Sequence, residues 1–291
     1  MTGQWISRRP STAGHEFCGE VIAVGDGVTD FQIGDYVSVD SRVWCGDCPA
    51  CRGGRPMICE QLGFVGEVCD GGFAEQVQLP TRLLVKHDRA LRPHIAAMAE
   101  PLAVALHAVR RLALPKGEPV LVIGCGTIGG LAALLLSRLH DGVLMLADRN
   151  AERQALVAEV TGARPITMDR FAIEEVLGLE RLRYALDATG NVEAIRAGLE
   201  LMSGGGNLAL VGIGHGLLNL DPNDLVEREI GLIGCHAFND ELSEAVAMLP
   251  SLADALDRFC EPIASLDDIP ATYERLIRQG SPKLKAVVEL E

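Results

Sequence analysis

Two kinds of apolar pattern alternate along this chain. Val120-Leu121-Val122-Ile123 and Val143-Leu144-Met145-Leu146-Ala147 are unbroken apolar runs of strand length, and Leu131 to Leu139 between them has the apolar spacing of a helix. Tyr184 to Asp187, Asn207 to Val211 and Ile230 to Ile233 read as further strands, with helical stretches at Ala151 to Thr161 and Val192 to Leu201. Glycine turns at Gly190, Gly204 to Gly206, Gly212 and Gly234 punctuate them. This alternation predicts an α/β domain, a doubly wound parallel sheet over residues 96–237. Earlier residues differ in kind. Short strands at Gly19 to Val24 and Asp35 to Val39, separated by Gly25-Asp26-Gly27 and Gln32-Ile33-Gly34, predict a small β-rich domain over residues 1–95. In residues 238–291 an amphipathic helix near Asp240 to Met248 and a last strand, Ala286 to Leu290, predict a return to that β-rich domain.

The first strand of the α/β region runs directly into Gly124-x-Gly126-x-x-Gly129 and then a helix. Strand, glycine turn and helix in that order form a phosphate site of the Rossmann type. Glycines permit the tight turn and the close approach of a pyrophosphate, and the helix N-terminus offers free N–H groups. Gly124, Gly126, Thr127 and Gly129 are therefore candidate cofactor contacts. Asp148 ends the next strand about twenty residues on, where a carboxylate accepts from ribose hydroxyls and repels a 2′-phosphate. The expected cofactor is NAD rather than NADP, with Arg149 weakening the preference. The alternative is an Asp148 that only caps the helix beginning at Ala151.

Cys45, Cys48, Cys51 and Cys59 form a second signal. Thiolates with two, two and seven residues between them can wrap one short loop around a tetrahedral Zn²⁺. Only Met57 and Ile58 are sizeable apolar groups in that loop, so an ion would replace a core. Two disulfides or a [4Fe–4S] cluster remain alternatives. Against the first stand the lack of a signal peptide and the reduced state of cytosolic thiols; against the second stands Glu60, where the ferredoxin run has proline.

Composition narrows the classes of function. A chain of 291 residues with 48% hydrophobic content can build two domain cores. A net charge of −14, with no block of five or more basic residues, argues against nucleic acid as a partner. The longest uncharged run, Pro119 to Ser137, has the length of a membrane span, but its glycine-dense centre reads as strand, turn and buried helix. The expectation is a cytoplasmic protein without a membrane segment.

Five segments in one order resemble the zinc-dependent medium-chain alcohol dehydrogenase family: Gly14-His15-Glu16-Phe17, the four-cysteine lobe, Gly71-Gly72-Phe73-Ala74-Glu75, Ala99-Glu100-Pro101-Leu102-Ala103, and the Gly124 fingerprint. The resemblance covers nearly the whole chain and points to the branch with sorbitol, threonine and butanediol dehydrogenases. It implies a GroES-like catalytic domain beside the Rossmann domain, and NAD-dependent oxidation of a secondary alcohol, polyol or amino alcohol in a homo-oligomer, dimer or tetramer. It also implies that His15 and Glu100 belong to a catalytic zinc site with Glu16 beside them. The bland readings are a core histidine and a helix-capping glutamate, and His107 reads as core. By the same matching, Ile128, Asp148, Arg153, Val211, Gly212 and Ile213 line the NAD site, and Cys235 and His236 approach its nicotinamide side.

One departure shapes the expectation. Family members carry, before the Gly-His-Glu segment, a Cys-Gly-x-Asp motif that supplies the first catalytic-zinc ligand, and the fourteen residues before His15 hold none. The catalytic domain is thus expected to be N-terminally truncated, its catalytic zinc less secure than the structural one and its turnover weak until a longer N-terminus is restored. Cys18 is not expected to substitute, because on a strand positions 15 and 18 face opposite sides. The alternative function is a catalytically impaired NAD-binding homologue.

Overall fold

The computed structural model describes residues 11–179 and 181–290. The first ten residues, on which the expectation about the N-terminus bears, lie outside this range. The chain divides into two compact units, one of Met1–Ala103, Ala237–Gly280 and Ala286–Glu291, the other of Val104–His236 and Ser281–Lys285. Among the described residues no helix is long and apolar enough to cross a membrane.

The first unit is built on short strands. β1 (Cys18–Glu20), β2 (Tyr36–Val39) and β5 (Leu84–His87) form an antiparallel sheet with β2 in the centre, Cys18 facing Ser38 and Val39 facing Leu84. β3 (Arg42–Val43) and β4 (Gly63–Phe64) pair alongside the cysteine loop, which contains α1 (Pro49–Arg52). α2 (Pro93–Ala96) precedes α3 (Ala99–Leu112), through which the division between the units passes. The strand expected over Gly19 to Val24 is shorter. Val21 still donates to the Asp35 carbonyl, but a turn closed by Val28 N–H on Gly25 O ends the pairing.

β2 leads into a buried polar stretch. Of the five residues 38–42, Ser38, Asp40, Ser41 and Arg42 are all polar and buried, and each has its partner. Ser38 Oγ donates to the Ala96 carbonyl. Arg42 holds Asp40 through Nε at 2.9 Å and Nη2 at 2.7 Å, and its Nη1 donates to the Phe238 carbonyl. The Arg42 guanidinium also stacks 4.0 Å from the centroid of Phe238, itself fully buried.

The second unit contains the parallel sheet. β6 (Val120–Ile123), α4 (Thr127–Leu139), β7 (Leu144–Ala147), α5 (Ala151–Thr161), β8 (Arg164–Pro165), α6 (Arg170–Leu177), β9 (Tyr184–Asp187), α7 (Val192–Leu201), β10 (Asn207–Leu210), α8 (Pro222–Arg228) and β11 (Gly231–Gly234) follow in sequence. The strand order is β11-β10-β9-β6-β7-β8, all pairs parallel. All four residues of β6 are buried, so both faces of the strand are covered and alternation disappears from its sequence. On one face Leu121, Ile123, Met145, Ala147, Ala185 and Leu208 share a core.

The final segment corrects an expectation. The helix expected to stop near Met248 is α9 (Glu241–Phe259), nineteen residues long with Pro250 inside. Proline removes one N–H and normally ends a helix. Here Leu242, Val246, Leu249, Leu252, Leu256 and Phe259 continue one buried stripe across it, and that burial outweighs the lost hydrogen bond. β12 (Cys260–Ile263), α10 (Ile269–Gln279) and β13 (Lys285–Val288) follow, with β12 and β13 paired.

Because Asp40 and Arg42 are both buried, removing one partner strands the other charge. Arg42→Met is expected to cost about 3–5 kcal/mol. The double variant Asp40→Leu/Arg42→Met should recover part of that loss, as read from urea-unfolding midpoints of the three proteins.

Candidate functional site

The cysteine loop folds back on itself through backbone hydrogen bonds. Cys48 sits at the N-cap of α1 with Pro49 as its first residue, and Cys59 ends a 3₁₀ turn over Pro56–Ile58. The four Sγ atoms all lie within 4.8 Å of one another, with Cys45 3.9 Å from Cys51 and 3.5 Å from Cys59. Sulfurs 2.3 Å from a tetrahedral zinc stand about 3.8 Å apart, so the cage matches Zn²⁺. All four thiols are free, which removes the disulfide alternative. N–H groups of Asp47 and Cys48 point at Cys45 Sγ, and those of Cys45 and Gln61 at Cys59 Sγ. The Cys51 and Glu60 N–H groups pull the Cys48 thiol down to about 6, and those of Asp47 and Cys48 lower Cys45, whereas desolvation pushes Cys51 up to about 12. Beside the lobe, Arg82 stacks 4.6 Å from the Trp44 ring and donates to its carbonyl.

His15 and Glu100 lie in the same unit. His15 follows Gly14, whose φ of +98° and contact with the Phe73 backbone leave no place for a Cβ. Gly72 N–H donates to Gly14 O and Phe73 N–H to Ala13 O, so the Gly-His-Glu and Gly-Gly-Phe segments form one packed layer. His15 and Glu16 are half-buried, with the His15 ring 6.2 Å from that of Phe64. Glu100, in the first turn of α3, is buried and accepts from Ser41 Oγ at 2.6 Å rather than capping the helix. Burial pushes its carboxyl up to about 7, against the opposing pull of the Ser41 hydrogen bond. Imidazole and carboxylate are both zinc donors, and a buried carboxylate suits a cation. Among the described residues, however, the cysteine cage is the only group of three or more metal-binding side chains already drawn together. Cys18 does not join His15: its thiol donates to the Pro93 carbonyl, and burial pushes it up to about 12. His107 is buried, in keeping with its reading as core.

In the second unit the candidate residues gather at the carboxyl ends of the strands. Gly124 turns out of β6 with φ +96°, and Gly126 caps α4 with open space where a Cβ would stand, so an anion can reach the backbone there. At Gly129 a Cβ would lie 1.7 Å from the Gly124 carbonyl, which forces glycine where helix meets strand. Asp148 closes this turn from the neighbouring strand: Oδ2 accepts from Cys125 N–H and Oδ1 from Asn150 N–H. The cap of α5 is Asn150, which accepts from Glu152 and Arg153 N–H, so the helix-cap alternative for Asp148 falls. Each Asp148 oxygen retains a lone pair for a further donor. Arg149 beside it is exposed. Thr127 Oγ1 donates to Leu284 O and Arg153 Nε to Ser281 O, so residues 281–285 strap α4 and α5.

Val211, Gly212 and Ile213 leave β10 at the same edge, and Cys235 and His236 leave β11, with Cys235 N–H on Leu210 O. From β7 to β11 are four strand spacings, about 19 Å at roughly 4.8 Å each, a suitable span for an extended dinucleotide. The sequence reading missed Asp187. This fully buried carboxylate ends β9 and accepts from Thr189 N–H, Thr189 Oγ1 and Gly190 N–H. It holds the Ala188–Gly190 loop so close that a Cβ on Gly214 would sit 1.7 Å from Gly190 O and one on Gly124 2.7 Å from Thr189 Cγ2. An acidic residue at a strand end followed by Thr and Gly was the available signal.

Family models match in two blocks: the alcohol dehydrogenase GroES-like domain over residues 1–89 and the zinc-binding dehydrogenases over residues 128–251. L-galactonate-5-dehydrogenase of Escherichia coli strain K12 is 32% identical over 287 residues, covering 96% of this chain and 83% of that protein. L-threonine 3-dehydrogenase of Caldanaerobacter subterraneus is 34% identical over 239 residues, covering 79% and 69%. A Sinorhizobium meliloti protein solved with NADP bound superposes with a TM-score of 0.88 at 28% identity, covering 99% of this chain and 86% of that one.

Asp187→Asn is expected to cost roughly 1.5–3 kcal/mol, since donors sit on both carboxyl oxygens and the amide turns one of those acceptors into an NH2 group. Burial raises the Asp187 carboxyl above its ordinary value. A raised folded-state pKa adds stability that is full below the unfolded value, about 3.9, and disappears as pH rises through the folded value. Urea unfolding should therefore show a larger deficit of the variant at about pH 4 than at about pH 7.

Proposed function

The chain belongs to the zinc-dependent medium-chain alcohol dehydrogenase family, and from that premise we propose that it oxidises a secondary alcohol, polyol or amino alcohol, passing a hydride to NAD. The observation that carries the reading is the carboxyl edge of the parallel sheet, where an open glycine turn, a free helix N-terminus and the Asp148 carboxylate converge. In this reading residues 96–237 bind the dinucleotide, and residues 1–95 and 238–291, joined by Glu100 from the start of α3, carry the metal sites and the substrate.

Gly124, Gly126, Thr127, Ile128 and Gly129 receive the pyrophosphate on backbone N–H groups at the start of α4. Asp148 takes the adenine-side ribose, Arg153 braces the strap at Ser281, and Val211, Gly212, Ile213, Cys235 and His236 follow the cofactor toward its nicotinamide. Cys45, Cys48, Cys51 and Cys59 hold a structural zinc with no open position, and His15 and Glu100, with Glu16 beside them, hold the catalytic one. When bound there, zinc acts as a Lewis acid that lowers the pKa of the alcohol hydroxyl and favours loss of its proton. Glu100 offers a carboxylate screened from water, and the Gly14 and Gly72 packing sets the direction from which His15 approaches. The relatives named as dehydrogenases give the impaired-homologue alternative no support. A homo-oligomer, dimer or tetramer, in the cytoplasm completes the reading.

Two outcomes test it. Purified protein should reduce NAD with secondary alcohols, polyols or threonine, followed by the absorbance of the reduced nicotinamide, and should bind NAD more tightly than NADP by calorimetry. Asp148→Ala should narrow that preference, whereas equal affinity of the unmodified protein for both would mean that Arg149 or another cation governs the choice. Metal analysis should find a zinc lost on substitution of Cys59 by Ser. A quadruple Cys→Ser variant with unchanged zinc content would defeat the structural assignment.

A further inference from the structure

Ser41 is a fully buried hydroxyl with one hydrogen-bond direction fixed by its surroundings. Its neighbours Asp40 and Arg42 clamp each other across it, with Arg42 N–H also on Asp40 Oδ1 at 2.9 Å. Its own carbonyl accepts from Val65 N–H at 2.7 Å, and Asp40 N–H is held on Leu83 O. The main chain at Ser41 is therefore pinned from both sides, and Oγ is directed at Glu100 Oε1, 2.6 Å away. The hydroxyl is the donor and Oε1 the acceptor. Burying a serine here carries a desolvation cost that alanine would avoid, and the hydrogen bond to Glu100 offsets it. Nothing in the pairing of β3 with β4 calls for a hydroxyl, because Ser41 contributes to that sheet through its backbone alone.

We propose that Ser41 is a positioning residue for the catalytic metal: by engaging Oε1 it fixes the Glu100 carboxylate in one rotamer and leaves Oε2 as the oxygen presented to zinc. The inference rests on the reading of Glu100 as a zinc ligand. A ligating carboxylate free to rotate must be ordered at the moment of binding, whereas one already tied by a rigid donor need not be. Ser41 touches neither substrate nor cofactor in this role and acts only through Glu100.

The test is a competitive zinc titration of the full chain against a chelator, with zinc per chain counted at each step. Unmodified protein should release two zinc ions in separable steps. In Ser41→Ala, the Glu100-dependent step should move to about 10–100-fold weaker affinity while the cysteine-bound zinc is released as before. Ser41→Thr, which keeps the hydroxyl, should restore the step toward the original, and Glu100→Gln should abolish it. Circular dichroism and urea unfolding of the Ala variant separate loss of fold from loss of metal, and its cysteine zinc serves as an internal control. A Glu100-dependent step within twofold of the original in Ser41→Ala would overturn the role given to Ser41. If unmodified protein released only the cysteine zinc, and Glu100→Gln changed nothing, the zinc-ligand reading of Glu100 would fall, and this inference with it.

Discussion

The buried ion pair between Asp40 and Arg42 is the constraint on which the first unit's site depends. Two charges with a single residue between them are taken out of water together, so the chain between them has almost no freedom. That rigidity passes to Ser41, through Ser41 to Glu100, and in the other direction to Trp44, whose ring lies against both Arg42 and Arg82. Cys45 follows immediately. One short stretch of chain thus sets the approach to both proposed metal positions, through polar contacts whose loss would leave unsatisfied groups in the interior.

The second unit reaches the same definition by the opposite means. Its carboxyl edge is assembled by removing side chains: glycines at positions 124, 129, 190, 212 and 214 let loops from different strands approach to distances at which no Cβ fits. Asp187 and Asp148 then lock these loops from beneath with hydrogen bonds to their N–H groups. Such a surface presents main-chain donors to a ligand and is already ordered before binding, which suits a pyrophosphate better than flexible side chains would. Asp148 serves both ends, bracing the glycine turn while keeping acceptor capacity for the proposed ribose contact.

The cysteine lobe illustrates a third route. Its residues are too polar and too exposed to bury a core, and its backbone is instead turned by α1 and a 3₁₀ turn until four sulfurs converge. Convergence of thiols that lack a disulfide, with N–H groups aimed at them, places negative charge where a divalent ion would neutralise it.

The sequence alone determined whatever depends on periodicity and local spacing. Unbroken apolar runs meant strands covered on both faces, as the four buried residues of β6 show, and the glycine and cysteine spacings marked their turns because those motifs act over a few neighbouring residues. Tertiary structure decided the rest. Pro250 should have ended α9, but a core stripe extending on both sides of it outweighed the local rule. Asp148 as a helix cap was a reasonable local alternative, and only the fold showed Asn150 in that place and Asp148 on Cys125. Ser41 and the strap at residues 281–285 carry no motif of their own; their partners lie on other elements, in the case of Ser41 and Glu100 fifty-nine residues away. A hydrogen bond across such a separation leaves no period in the chain, because what selects it is the burial that folding creates.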